Sequence, residues 1–112
     1  MEKAKNLRIK KVFLEEILKG KKTSEFRNFN KYYINFFGVD LKNLDNEASI
    51  FMPLKTNLEY LIFHYQSPIK VIAKISSLSL VLREDYFLKP KPHLNTKYIF
   101  KIDLESPSLL EG

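Results

Sequence analysis

The hydrophobic period changes twice within the first 27 residues, and that constrains the fold more than any other feature of the chain. In NLRIKK, Asn6 to Lys11, Leu7 and Ile9 point one way and Arg8 and Lys10 the other, the period of a half-buried strand. In KVFLEEILKG the spacing becomes helical: Phe13, Leu14, Ile17 and Leu18 make one apolar face, and Glu15 precedes Lys19 by the four residues of a helical ion pair. Gly20 stands where a left-handed C-terminal cap belongs. From Thr23 the pattern returns to period two. Phe26 is expected to face the core, with Thr23, Glu25 and Arg27 on the opposite face. A short strand, a helix of two to three turns and a second strand therefore open the chain.

The rest reads mainly as strands. SIFMPL, with Pro53 near its end, is a strand, and LEYLIFHYQ (Leu58 to Gln66) is an apolar central strand. The Ser67–Pro68 pair makes a tight connection into IKVIAKISSLSLV, where Ile69, Val71, Ala73 and Ile75 share a face, so the two strands form a hairpin. LREDYFLKPKPH is a loop, because Pro90 and Pro92 forbid ladder bonds. TKYIFKIDL is the last strand. NFNKYYINFFGVD has no clear period and is either a short helix or an irregular segment, with Gly38 marking a turn, and LKNLDNEA is a loop. The expected fold is α+β: a small, mainly antiparallel β-barrel with an N-terminal helix plugging or flanking one end. One domain is expected over residues 1–105, with a loosely held tail over 106–112.

Composition narrows the function classes. A chain of 112 residues with 45% apolar content supports one packed core. The absence of cysteine excludes disulfides, thiolate metal sites and a cysteine nucleophile, and it fits a reducing compartment. No signal peptide or membrane-length apolar run is evident, so the expectation is a cytoplasmic protein that does not enter the membrane. His64 lies in an apolar strand and reads as a core histidine, and His93 sits in a proline-bounded loop. Two isolated histidines make no metal site, and no cofactor motif is present.

Charge is the informative quantity. Residues 1–31 hold ten basic and four acidic side chains and carry the whole formal charge of +6, while residues 32–112 balance to zero. A basic zone on a neutral domain attracts polyanions such as RNA, and a soluble lysine-rich surface is the plainer explanation.

GKKTSEFR, Gly20 to Arg27, concentrates the candidate chemistry. Together with the preceding strand and helix it resembles the start of ASCH domains, a branch of the PUA-like β-barrel superfamily. Their signature G-x-K-x-x-E-x-R is met by Gly20, Lys22, Glu25 and Arg27. The likeness is strong over the first strand, helix and motif. It extends more weakly through LIFHYQSPIKVIAKIS and TKYIFKIDL to Leu104, with no alignment over residues 29–57. The resemblance implies a PUA-like barrel with a cleft between helix and barrel for RNA or a nucleotide. Some members resemble ribonucleases, and others hydrolyse the acetyl amide of acetylated cytidine with a lysine, a threonine and a glutamate. That lysine matches Lys22, but the threonine falls at Glu25, which offers no hydroxyl, and the acid has only Glu84 or Asp85 as candidates.

Three functions follow as expectations. The first is an RNA- or nucleotide-binding module. In it Lys22 and Arg27 would contact phosphate or a base edge, Glu25 would accept from a base amine or position Lys22, and Arg8, Lys10 and Lys21 would add phosphate attraction. Tyr32 and Tyr33 would offer stacking surfaces beside the basic groups. The second is an amidohydrolase or ribonuclease with Lys22 and Glu25 as the acid–base pair. The third is a regulatory domain whose basic zone meets an acidic protein partner. Each residue also has a plain structural role. Gly20 caps a helix, Lys22, Glu25 and Arg27 form a salt-bridge cluster, Thr23 and Ser24 bond locally, and the aromatics fill the core. Lys89 and Lys91 either extend a basic rim or decorate a solvated loop.

Overall fold

The computed structural model describes residues 3–40, 53–66, 68–87 and 97–110. In chain order the elements are β1 (Ala4–Arg8), α1 (Lys11–Leu18), β2 (Ser24–Asn28), α2 (Lys31–Phe37), β3 (Tyr60–His64), β4 (Lys70–Leu82) and β5 (Tyr98–Leu110). A single 3-10 turn, Arg83–Asp85, follows β4. The fold is α+β, with two helices and one mixed five-stranded sheet of order β1-β3-β4-β5-β2, which is compatible with a small barrel-like fold.

The two changes of period become β1, α1 and β2. Helix α1 buries Leu14 and Ile17 of its apolar face, at 6% and 1% exposure, each worth about 2 kcal/mol of apolar transfer. It ends in a Schellman motif. Gly20 adopts φ +76°, its N–H donates to the Ile17 carbonyl, and the Lys21 N–H donates to the Glu16 carbonyl at 2.8 Å. The unassigned aromatic segment contains α2. Asn30 caps it by accepting the Tyr33 N–H at 2.9 Å. Gly38, at φ +66°, closes it in the same way, with Gly38 N–H on Asn35 O and Val39 N–H on Ile34 O.

The expectation of a mainly antiparallel sheet is corrected at β1. That strand lies parallel to β3, with Leu7 opposite Phe63, while β3 pairs antiparallel with β4, with Phe63 opposite Val71. Alternation marks a strand but carries no direction. Parallel neighbours need a long crossover, and here the chain passes through α1, β2 and α2 before it returns as β3.

By internal packing the chain divides into two compact units. The first comprises Met1–Glu25, Asn57–Ser76 and Asp103–Gly112, and the second comprises Phe26–Thr56 and Ser77–Ile102. In the first, the buried side chains come from β1 (Leu7), α1 (Leu14, Ile17), β3 (Leu61, Phe63) and β4 (Val71, Ala73). In the second, Phe37 and Phe29 pack on Phe100 with ring centroids at 5.2 and 5.5 Å, and Phe26 and Phe87 pack against buried Val81 and Ile99. Strand β4 buries odd-numbered Val71 and Ala73 in the first unit and even-numbered Leu78 and Leu80 in the second. The parity changes around Ser76 and Ser77, where the division falls.

Other expectations are also corrected. Of SIFMPL, residues 49–52 lie outside the described residues, and Pro53 forms an isolated bridge to Ser79. Ile69 lies ahead of β4 and is 54% exposed. The last strand, expected to end at Leu104, continues as far as Leu110. Ser106, which interrupts the alternation there, takes a left-handed φ of +52°. The loop LKNLDNEA and the residues Lys89, Pro90, Lys91, Pro92 and His93 lie outside the described residues. Among the described residues, no helix is long and apolar enough to cross a membrane.

Candidate functional site

The C-terminal cap of α1 places Lys22. The Lys21 and Lys22 N–H groups both donate to the Glu16 carbonyl, so the chain folds back over the end of the helix. The Lys22 ammonium then lies 5.1 Å from the centroid of the Phe13 ring, within cation–π range. Three residues on, Glu25 in β2 brings its Oε1 to 3.8 Å from Lys22 Nζ. At that separation the contact is an ion pair rather than a hydrogen bond. Both partners are shielded, with side-chain exposures of 18% for Lys22 and 7% for Glu25.

Glu25 is the buried charged residue of the described chain, and this reverses the face expected of it. Phe26, expected to be the core residue of β2, is only half-buried. The strand has no solvated face at Glu25, because the cap of α1 brings Lys22 over it. Burying a carboxylate is costly unless a cation accompanies it, and Lys22 supplies that cation.

Two bonds tie the start of β2 to β5. Ser24 Oγ donates to Asp103 Oδ1 at 2.7 Å, and the Leu104 N–H donates to the Thr23 carbonyl at 2.8 Å. The expected local bonding of Ser24 is thus replaced by a bond to a residue 79 positions away. Asp103 and Phe13 are the site residues that sequence reasoning missed. Neither had a local signal: Lys22 lies beyond the end of α1 and reaches Phe13 only because the chain folds back at the cap, and Asp103 is distant in sequence.

The remaining candidates distribute as follows. Arg8, Lys10 and Lys21 are exposed, as are Lys11 and Lys19. The Arg8 guanidinium lies 6.0 Å from the centroid of Tyr65. Arg27 belongs to the second unit, is half-buried, and donates from Nη1 to the Phe26 carbonyl at 3.2 Å. Tyr32 and Tyr33 open α2 in that unit. Tyr32 is 65% exposed, and its ring meets Tyr33 edge-on at 4.9 Å. Tyr33 is half-buried and leads through Phe37 to the core ring Phe100. His64 is half-buried, and its carbonyl accepts the Ile9 N–H. Glu84 and Asp85 are exposed in the 3-10 turn of the second unit. Among the described residues no three histidines or carboxylates gather as a metal-holding group.

Chemically, the first unit thus presents a shielded ammonium–carboxylate pair on an aromatic face, inside a surface whose exposed charges are mostly basic. No family model matches the chain, and neither a curated protein nor a solved structure does.

Proposed function

We propose that this chain is an RNA- or nucleotide-binding module of the ASCH type, with a PUA-like barrel as its fold and a reducing compartment such as the cytoplasm as its setting. One observation carries the reading: five cations of the basic zone stand exposed around α1, and the shielded Lys22–Glu25 pair is neutral as a whole. Glu25 is buried against Lys22, while Arg8, Lys10, Lys11, Lys19 and Lys21 are exposed around α1. The inward pair removes one charge of each sign and leaves the net charge unchanged, so among the described residues of this segment the five exposed cations face only the exposed Glu15 and the half-buried Glu16. Such a surface attracts a phosphate backbone with little regard to sequence. In this reading Lys22 and Glu25 supply selective contacts in the first unit, and in the second unit Arg27 contacts phosphate or a base edge and Tyr32 offers a stacking face.

Fluorescence anisotropy with labelled single-stranded RNA, duplex RNA and single-stranded DNA across a salt series tests the module. RNA binding should weaken steeply with salt. The exposed pair Lys10→Ala/Lys21→Ala should lower the magnitude of the log–log salt slope by about 2 without unfolding the chain. No RNA binding at moderate salt rejects the reading and turns attention to an acidic protein partner.

The geometry of the Lys22–Glu25 pair favours one second reading, a hydrolase acting on RNA or a modified nucleoside. An ammonium and a carboxylate 3.8 Å apart and mostly shielded from water can exchange a proton with a substrate held against them. Turnover of an RNA or nucleoside panel that disappears in Lys22→Arg, with RNA affinity retained, would replace the binding module with this enzyme.

A further inference from the structure

The first unit contains a cavity of about 490 Å³ that the motif residues do not line; Lys22 and Glu25 are absent from its walls. Its floor is apolar, made by Leu14 and Leu18 of α1 with Val71 of β4, and Leu14 and Val71 are buried at 6% and 0% exposure. Its sides are Ile69, ahead of β4, and Leu109, near the end of β5. Both are more than half exposed, at 54% and 55%. Two large aliphatic side chains held open to water over an apolar floor form a surface that gains from being covered. The volume lies in the range of small-molecule sites, and such sites combine apolar walls with a few placed polar groups.

The polar groups give the sign of the occupant. Lys11, Glu15, Tyr65 and Gln66 complete the lining. Lys11 is exposed, and the Arg8 guanidinium lies 6.0 Å from the Tyr65 ring centroid, so two cations stand at or next to the cavity against the single carboxylate of Glu15. We infer that this cavity binds a small amphipathic organic anion. Its aliphatic or aromatic body lies on Leu14, Leu18 and Val71 between Ile69 and Leu109, and its carboxylate or equivalent head faces Lys11 and Arg8. The site is separate from the Lys22–Glu25 pair and stands whether or not the chain binds RNA.

Isothermal titration of the full chain with decanoate, beside decyltrimethylammonium as a cation with the same tail, tests this assignment. Decanoate should bind saturably at one site and at least tenfold more tightly than the ammonium. Lys11→Ala should weaken decanoate several-fold and Glu15→Gln should tighten it. Leu109→Glu changes an exposed residue, so circular dichroism should find the fold unchanged while decanoate binding is lost. Absence of saturable decanoate binding, equal affinity for the two amphiphiles, weaker binding in Glu15→Gln, or unchanged affinity in Leu109→Glu each overturns the proposal. Concentration-dependent dimers in sedimentation that Leu109→Glu dissolves, with no uptake of decanoate, would overturn it in favour of a second copy of this chain.

Discussion

At the residue scale the decisive fact is that Glu25 is buried and Lys22 covers it. Removing one member of a buried ion pair costs more than replacing both, because the survivor keeps its desolvation penalty and loses its partner. Lys22→Met should therefore destabilise the chain by about 3 kcal/mol. The double substitution Lys22→Met/Glu25→Leu should recover most of that loss, and urea unfolding of the two variants and the parent measures the difference. If the double variant is as unstable as the single one, Glu25 is held by groups other than Lys22. The four motif residues were legible as a spacing, and Lys22 and Glu25 do meet. The inward turn of Glu25 was not legible. A charged residue alternating with an apolar one reads as solvent-facing, and only the return of the chain over the end of α1 converts that face into interior.

At the element scale, both helices are too short to hold by propensity and depend on their ends and on packing. α2 spans seven residues between the Asn30 cap and left-handed Gly38. Asn30→Ala should cost about 1 kcal/mol through the lost acceptor for Tyr33 N–H. Gly38→Ala should cost a similar amount by backbone strain alone, since an added Cβ would meet nothing within 4 Å. Ser106 is the converse case, a non-glycine at φ +52° within β5. Ser106→Gly should leave stability unchanged or raise it by up to about 1 kcal/mol, as the relieved strain offsets the greater entropy of an unfolded glycine. Thermal unfolding of the three variants checks all of these signs. The α1 signals, a helical apolar face closed by Gly20, could be read directly because helix ends are local. α2 carries no clear period because its aromatics serve several surroundings at once: Phe37 in the core, Tyr33 and Phe36 half-buried, and Tyr32 in water.

At the scale of the whole molecule, the inner strands should outlast the edges. β3 is hydrogen-bonded on both sides, to β1 and to β4, and its Leu61 and Phe63 are fully buried. Amide hydrogen exchange should find the amides of Leu61 and Phe63 among the slowest in the first unit, and those of Lys3 and Ala4 among the fastest. Local chemistry in the sequence determined which segments become elements. Alternation marked β1, β2, the first half of β4 and β5, an apolar run marked β3, Gly20 ended α1, and the count of charges located the basic segment. Tertiary structure decided what local signals do not encode. It set the parallel direction of β1 against β3, which depends on the length of the intervening crossover. It continued β5 through Ser106 to Leu110 and bonded Ser24 to distant Asp103. It also divided the charges, turning Glu25 and Lys22 inward together and leaving Lys10, Lys11, Lys19 and Lys21 outside. The physical reason is the same each time. Period and caps arise from contacts within a few residues, whereas burial, direction and partnership arise from contacts between residues that only the folded chain brings together.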